Sequence, residues 1–295
     1  MTIRLSKEYR TYTFGPDHPP ALRVAPGTTV VFETLDALDG QIQSDEDPAT
    51  RVDLGHVNAA TGPVYLEGAR PGDTLVAEIL DIQVADWGAA LVIPGFGFLQ
   101  DTIPGPYTKV FRVASDGSVP YGTRLRLPLK PMVGTIGVAP AEPITTLSSG
   151  PHGGNLDTTD IRPGCKVYLP VFVEGALFGV GDVHATMGDG EVCGTGIECP
   201  AEVTIRLDLR KDFPIERPRL ENEGEIMTLA SAETLEKAIR LALLDMIGWL
   251  ERHYGVSREE AYVLVSLVGD VRIGQIVDPA VTVRVAVPKE VFIDR

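Results

Sequence analysis

Three Pro-Gly pairs that stand directly before β-type runs constrain what this chain can fold into. They lie in APGT at 25–28, RPGD at 70–73 and RPG at 162–164. Proline presets the first central position of a tight turn and glycine accepts the second, so each pair reads as a corner leading into a strand. The runs that follow, 29–34 (TVVFET), 74–80 (TLVAEIL) and 166–173 (KVYLPVFV), carry the β-branched residues that strands favour, as do 63–66 (PVYL) and 109–113 (KVFRV). The half from Ala21 to about Lys130 therefore reads as all-β, with similar corners but no repeat period.

Helical periodicity is confined to the last third. Residues 231–254 place Leu235, Ile239, Leu243, Met246 and Leu250 on one face, with Gly255 as a stop. Residues 257–268 open with Ser257 and Glu260 in capping-box spacing, and 280–287 (AVTVRVAV) return to strand, which is expected to pair back into the main sheets. The expected fold class is α+β: a β-rich, sandwich-like core of many short strands with a smaller C-terminal α/β part. Along the chain this divides into a β-rich part at 1–130, a β-rich segment carrying the chemical motifs at 131–221 and the α/β part at 222–295, all in one compact unit.

At 295 residues with 44% hydrophobic and 23% charged positions, the chain has the composition of a globular protein. No apolar run approaches the roughly 18 residues of a membrane span, and the N-terminus lacks a secretory pattern, so a cytoplasmic protein is expected. Three cysteines at 165, 193 and 199 form neither a disulfide framework nor a CxxC zinc site, and Cys193 is expected to be a small buried hydrophobe. A net charge of -15 with no basic stripe excludes nucleic acid as a partner.

The chemically dense stretch is 177–196, LFGVGDVHATMGDGEVCGTG. Strand periodicity puts Asp182 and His184 on one face, a carboxylate and an imidazole suited to a divalent ion. Asp189 reads as a hairpin turn residue, whereas Glu191, placed at the start of a following strand, is the better ligand or general base. Upstream, SSGPHGGNLD at 148–157 aims Asn155 and Asp157 at one point, with the Gly153 and Gly154 amides available to a carbonyl or anion; His152 reads as an exposed bystander.

GGNLD at 153–157 and YLPVFVEGALFGVGDVHATMGDGEVCGTGIE at 168–198, together with GQI at 40–42, VDLGHV at 52–57, GPVYLEGARPGD at 62–73 and MVGTIGVAPAE at 132–142, closely resemble the acetamidase/formamidase family. The resemblance implies a β-rich fold with a smaller α/β part, hydrolysis of short aliphatic or cyclic amides to carboxylate and ammonia, and a bound divalent metal, Zn2+ or Ca2+. Carried onto this sequence, it implies Asp157, Asp182 and His184 as metal ligands, Glu142, Glu191 and Asn155 as catalytic residues, and Gly153 and Gly154 as substrate-binding. It also implies a small-molecule amide as partner, no membrane, and a homodimer or higher homo-oligomer. One departure is Met187, where the family pattern usually has glutamine.

Other chemistries are weaker on the residues themselves. A Cys-Glu-Lys amidase needs a lysine near Cys193, and the nearest in sequence are Lys166 and Lys211; Ser148-Ser149 is a thin echo of a Ser-Ser-Lys loop. A lactam-cleaving amidase is one alternative. Another is a non-enzymatic β-rich protein that holds a structural cation and a small ligand.

Overall fold

The computed structural model describes residues 2–293. Two large sheets dominate. The nine-stranded sheet runs in the order Thr2–Leu5, Thr28–Thr34, Ala201–Arg210, Thr74–Val84, Lys166–Pro170, Arg219–Glu221, Glu225–Ala232, Val281–Pro288, Asp270–Ile273. The ten-stranded sheet centres on Met132–Gly137 and Phe178–His184, with Gly153–Asn155 beyond the first and Ala60–Leu66 and Glu198–Cys199 beside the second.

All three Pro-Gly corners feed the nine-stranded sheet. Gly27, Gly72 and Gly164 have φ of 84°, 93° and 90°, which only glycine adopts cheaply, and their amides bond to Leu207, Val171 and Ile79 in neighbouring segments. The two sheets share one apolar core: Val30, Phe32, Leu75, Ile79, Val203 and Ile205 from the first meet Val64, Val133, Ile136, Phe178, Val180 and Val183 from the second. The Phe32 and Phe178 rings cross it edge to face at 5.7 Å.

The C-terminal strand Val281–Pro288 does pair back, lying antiparallel to Glu225–Ala232. Helices α1 (Leu235–Tyr254) and α2 (Arg258–Val268) connect these strands and pack on them through Ala242, Met246, Leu250 and Val265. The start of α1 differs from the periodicity: Ser231 and Ala232 finish a strand, and the Thr234 hydroxyl accepts from the Lys237 amide, so the cap fixes the start at Leu235. The Ser257–Glu260 capping box at α2 is formed in both directions. No helix among the described residues is long and apolar enough to cross a membrane.

Candidate active site

The strand Phe178–His184 is buried along its whole length. Phe178, Val180 and Val183 face the core, whereas Asp182 lines a cavity and His184 pairs with it. A regular two-residue alternation would carry Asp182 inward beside Val180; a φ of 53° at Asp182 changes the phase. Seven non-glycine residues among those described have positive φ, and four of them, Asn58, Asp157, Asp182 and Glu191, converge here. Such backbone costs on the order of 1 kcal/mol or more per residue and persists where the surroundings impose it, which makes this cluster the candidate site.

His184 is its centre. The Nε2 atom lies 3.0 Å from Asp182 Oδ1, 3.0 Å from Glu198 Oε2 and 3.9 Å from Asp157 Oδ1. One ring nitrogen donates one proton at most, so these oxygens cannot all be satisfied by it. Both Asp157 carboxylate oxygens lack a hydrogen-bond donor despite complete burial, and Glu198 Oε2 is likewise without a well-aligned one. On the far side of the ring, Nδ1 is 3.2 Å from Met187 Sδ. A cation among these carboxylates would take the Nε2 lone pair, leaving the ring proton on Nδ1 with the thioether as its weak acceptor.

The electrostatics follow from burial. It pushes the Asp157 and Glu191 carboxyls well above the ordinary range, helped by neighbouring carboxylates, and raises Glu198 and Asp278 to about 7. Burial also works against charge on Asp182 and His184, yet their mutual attraction holds Asp182 low, and Glu198 with Asp182 holds His184 high. Two trios could coordinate one ion, Asp182–His184–Glu198 and Asp157–His184–Glu191. The ligands expected from the resemblance, Asp157, Asp182 and His184, are divided between them.

The wall of the site is a hydrogen-bonded amide network. Asn155 Oδ1 accepts from Asn58 Nδ2 at 2.9 Å and from Thr135 Oγ1 at 2.6 Å, while its Nδ2 donates to Asp278 at 2.8 Å. Asn155, Asp182, Glu191, Glu198 and Asp278 all line one cavity of about 400 Å³. Glycines permit the closeness: a Cβ at Gly134 would collide with Asp157 Oδ1 and sit 2.5 Å from Asp182 Oδ2, and one at Gly196 would sit 2.7 Å from the His184 ring.

Several sequence expectations end elsewhere. Glu142 is exposed and does not line the cavity. Gly153 and Gly154 lie in a strand paired on both sides, where a Cβ would strike the Ile136 and Ser148 carbonyls; they allow close strand packing and do not line the cavity. His152 is 3% exposed, not a loop bystander: it stands behind Gly154 with its ring edge-on to Phe14, and burial lowers its pKa to about 4. Cys193 is only half-buried, and Glu191 sits on a turn with φ 47°, not at a strand start. Asp189 is a turn residue with a further partner, the buried Arg284.

Arg284 ties the carboxylate-bearing loops to the C-terminal strand. It pairs with Asp160 at 2.5 Å and Asp189 at 2.9 Å, and donates to the Ile273 carbonyl. The Gly190 amide bonds to the Gly274 carbonyl as well, so the Glu191 turn and the Asp278 loop are held together. Removing one member of a buried pair strands the other charge. Arg284→Met is expected to lower stability by about 3–5 kcal/mol in urea denaturation; a loss below 1 kcal/mol would show that Arg284 does not hold these loops.

Glu198, Asp278, Asn58 and Thr135 are the site residues that sequence reasoning passed over. A family model for the acetamidase/formamidase family matches residues 4–148 and 142–294. A crystal structure of an acetamidase from Bacillus halodurans superposes with a TM-score of 0.96 at 45% identity, covering 98% of each chain. Among curated proteins, a formamidase of Methylophilus methylotrophus is 29% identical over 94% of this chain and 88% of its own length. An acetamidase of Mycolicibacterium smegmatis is 29% identical over 66% of this chain, which spans 64% of that enzyme's length. The chain belongs to the acetamidase/formamidase family of amidase hydrolases.

Proposed function

We propose that this protein is a metal-dependent amidohydrolase that cleaves neutral primary carboxamides, of the type in its relatives' names, to carboxylate and ammonia. The observation that carries this reading is the convergence of three carboxylate oxygens on one buried imidazole nitrogen, two of them from the cavity-lining Asp182 and Glu198, with Asp157 left without donors. That donor set fits a small divalent cation. One nitrogen among carboxylate oxygens suits zinc, whereas calcium takes oxygen ligands alone. The ion would be held by Asp182, His184 and Glu198, with Asp157 facing it. Bound there, zinc supplies Lewis acidity, lowering the pKa of water from about 15.7 towards about 7 and polarising the amide carbonyl.

The chain's own groups do the rest. Glu191 lines the cavity and belongs to the Asp157–His184 trio. It takes the proton of the attacking water and delivers it to the departing nitrogen, and its raised pKa suits a group that must both accept and give. Asp278, held by the Asn155 amide and by the Val277 and Asp278 amides bonding to Gln275 Oε1, accepts an N–H of the carboxamide. The Asn155–Asn58–Thr135 network fixes that geometry in advance. The test is ammonia release from formamide and acetamide by the zinc-loaded protein, with release above the rate of a Glu191→Gln variant supporting the reading and equal rates contradicting it.

Metal binding also carries a pH signature. Glu198, raised to about 7, is protonated below that value and must lose its proton to ligate. Affinity is therefore present above pH 7 and falls as pH drops through it. Zinc titration is expected to weaken roughly fivefold between pH 7 and pH 6 from this group, and a Glu198→Gln variant loses that slope. An unchanged slope in the variant removes Glu198 from the ligand set.

A further inference from the structure

We infer that the acyl group of the preferred substrate is apolar and larger than that of acetamide: a neutral primary carboxamide with a straight chain or ring of about five to eight carbons. This rests on the amidase reading above and deepens it. The cavity holds about 400 Å³, room for roughly a dozen waters at ~30 Å³ each. Formamide has three heavy atoms and acetamide four, so either leaves most of that space to solvent. The carboxylates and Asn155 occupy one wall, where a carboxamide head would be oriented, and the remaining lining includes Leu38, Val57, Ile93, Phe96 and Leu147. A cavity with a polar end and long apolar walls is shaped for an amphipathic ligand, because each buried methylene gains and the polar head keeps its partners.

The mouth has the same character. Leu54 lines the cavity and is 61% exposed, so the apolar lining extends out to solvent. The loop that carries Phe96 is positioned, not loose: the Phe98 amide donates to the Val192 carbonyl, and the Phe96 ring lies against Gly194, where any Cβ would collide with it. The aromatic wall is thus fixed to the turn that carries Glu191. The carboxylates around the head group repel a second negative charge, so amides bearing a free carboxylate are excluded.

The experiment compares kcat/KM for formamide, acetamide, hexanamide and phenylacetamide with zinc-loaded native protein, read as ammonia release. Each added methylene is expected to raise kcat/KM up to about fourfold, the worth of roughly 0.8 kcal/mol per buried CH2. Hexanamide and phenylacetamide should exceed acetamide at least tenfold. The Phe96→Ala variant should narrow that ratio. Equal or better turnover of acetamide or formamide overturns this inference and leaves the amidase reading standing. A Phe96→Ala variant that loses both substrates in equal proportion also overturns it. No ammonia from any of the four removes the amidase reading, and this inference with it.

Discussion

Replacing His184 with alanine is expected to lower kcat/KM for acetamide about 10³-fold and to abolish stoichiometric zinc binding. The magnitude follows from geometry. Both candidate trios contain His184, so among the described residues neither keeps a nitrogen ligand after its loss. The ion's charge stabilisation is worth several kcal/mol, and at ~1.4 kcal/mol per decade its loss removes three decades or so of rate. Removing the ring also leaves Asp182 and Glu198 facing each other without a cation, so the thermal midpoint should fall too. Steady-state kinetics and elemental analysis of the purified variant check this. Activity within tenfold of native with zinc still bound would place the chemistry elsewhere.

The second large effect comes from a residue with no chemistry of its own. Gly134 sits in the strand beside Asp182, and a methyl group there would press on Asp157 Oδ1 and on Asp182 Oδ2 at 2.5 Å. Gly134→Ala must push the two carboxylates out of register. A displacement of about 1 Å at a reacting centre costs on the order of 10²-fold in rate, so that is the expected loss in kcat/KM, with zinc affinity falling in parallel. Circular dichroism should remain native, because the strand's pairing to Phe178–His184 does not use a side chain at that position. Full activity in this variant would mean that the Asp157–Asp182 approach is not needed.

The fold was legible where local chemistry dictates it. The Pro-Gly corners, the β-branched runs and the capped helices are set by residues within a few positions of one another, and they lie where periodicity or turn composition placed them, except that α1 starts at Leu235 and the run from Lys166 leaves its strand after Pro170. The phase change at Asp182 was not, because a positive φ at a non-glycine residue is imposed by neighbours and leaves no mark in the pattern. The site was legible only in its dense portion. Asp182, His184 and Glu191 lie within ten residues of each other, and Asn155 with Asp157 stand two apart after a Gly-Gly pair.

Glu198 lacked such a signal: it ends a run of small residues with no acidic neighbour, and only the pairing of its short strand with Val183 and His184 brings it to the ring. Asp278 is more distant still, on a loop before the last strand that returns to the site through the Gly190–Gly274 contact and the Asn155 amide. Glu142 is the reverse case: a family block ending in an acidic residue implies catalysis, but five residues beyond the buried strand Met132–Gly137 the chain has turned out to solvent, and Glu142 is exposed outside the cavity.

The most direct test of the central claim is ammonia release from acetamide measured on one preparation three times: as purified, after dialysis against a strong chelator, and after zinc is titrated back with metal content followed by elemental analysis. The account predicts that release falls to background on chelation and returns in proportion to added zinc, saturating at about one equivalent per chain. Full activity in protein shown to be free of metal would contradict it.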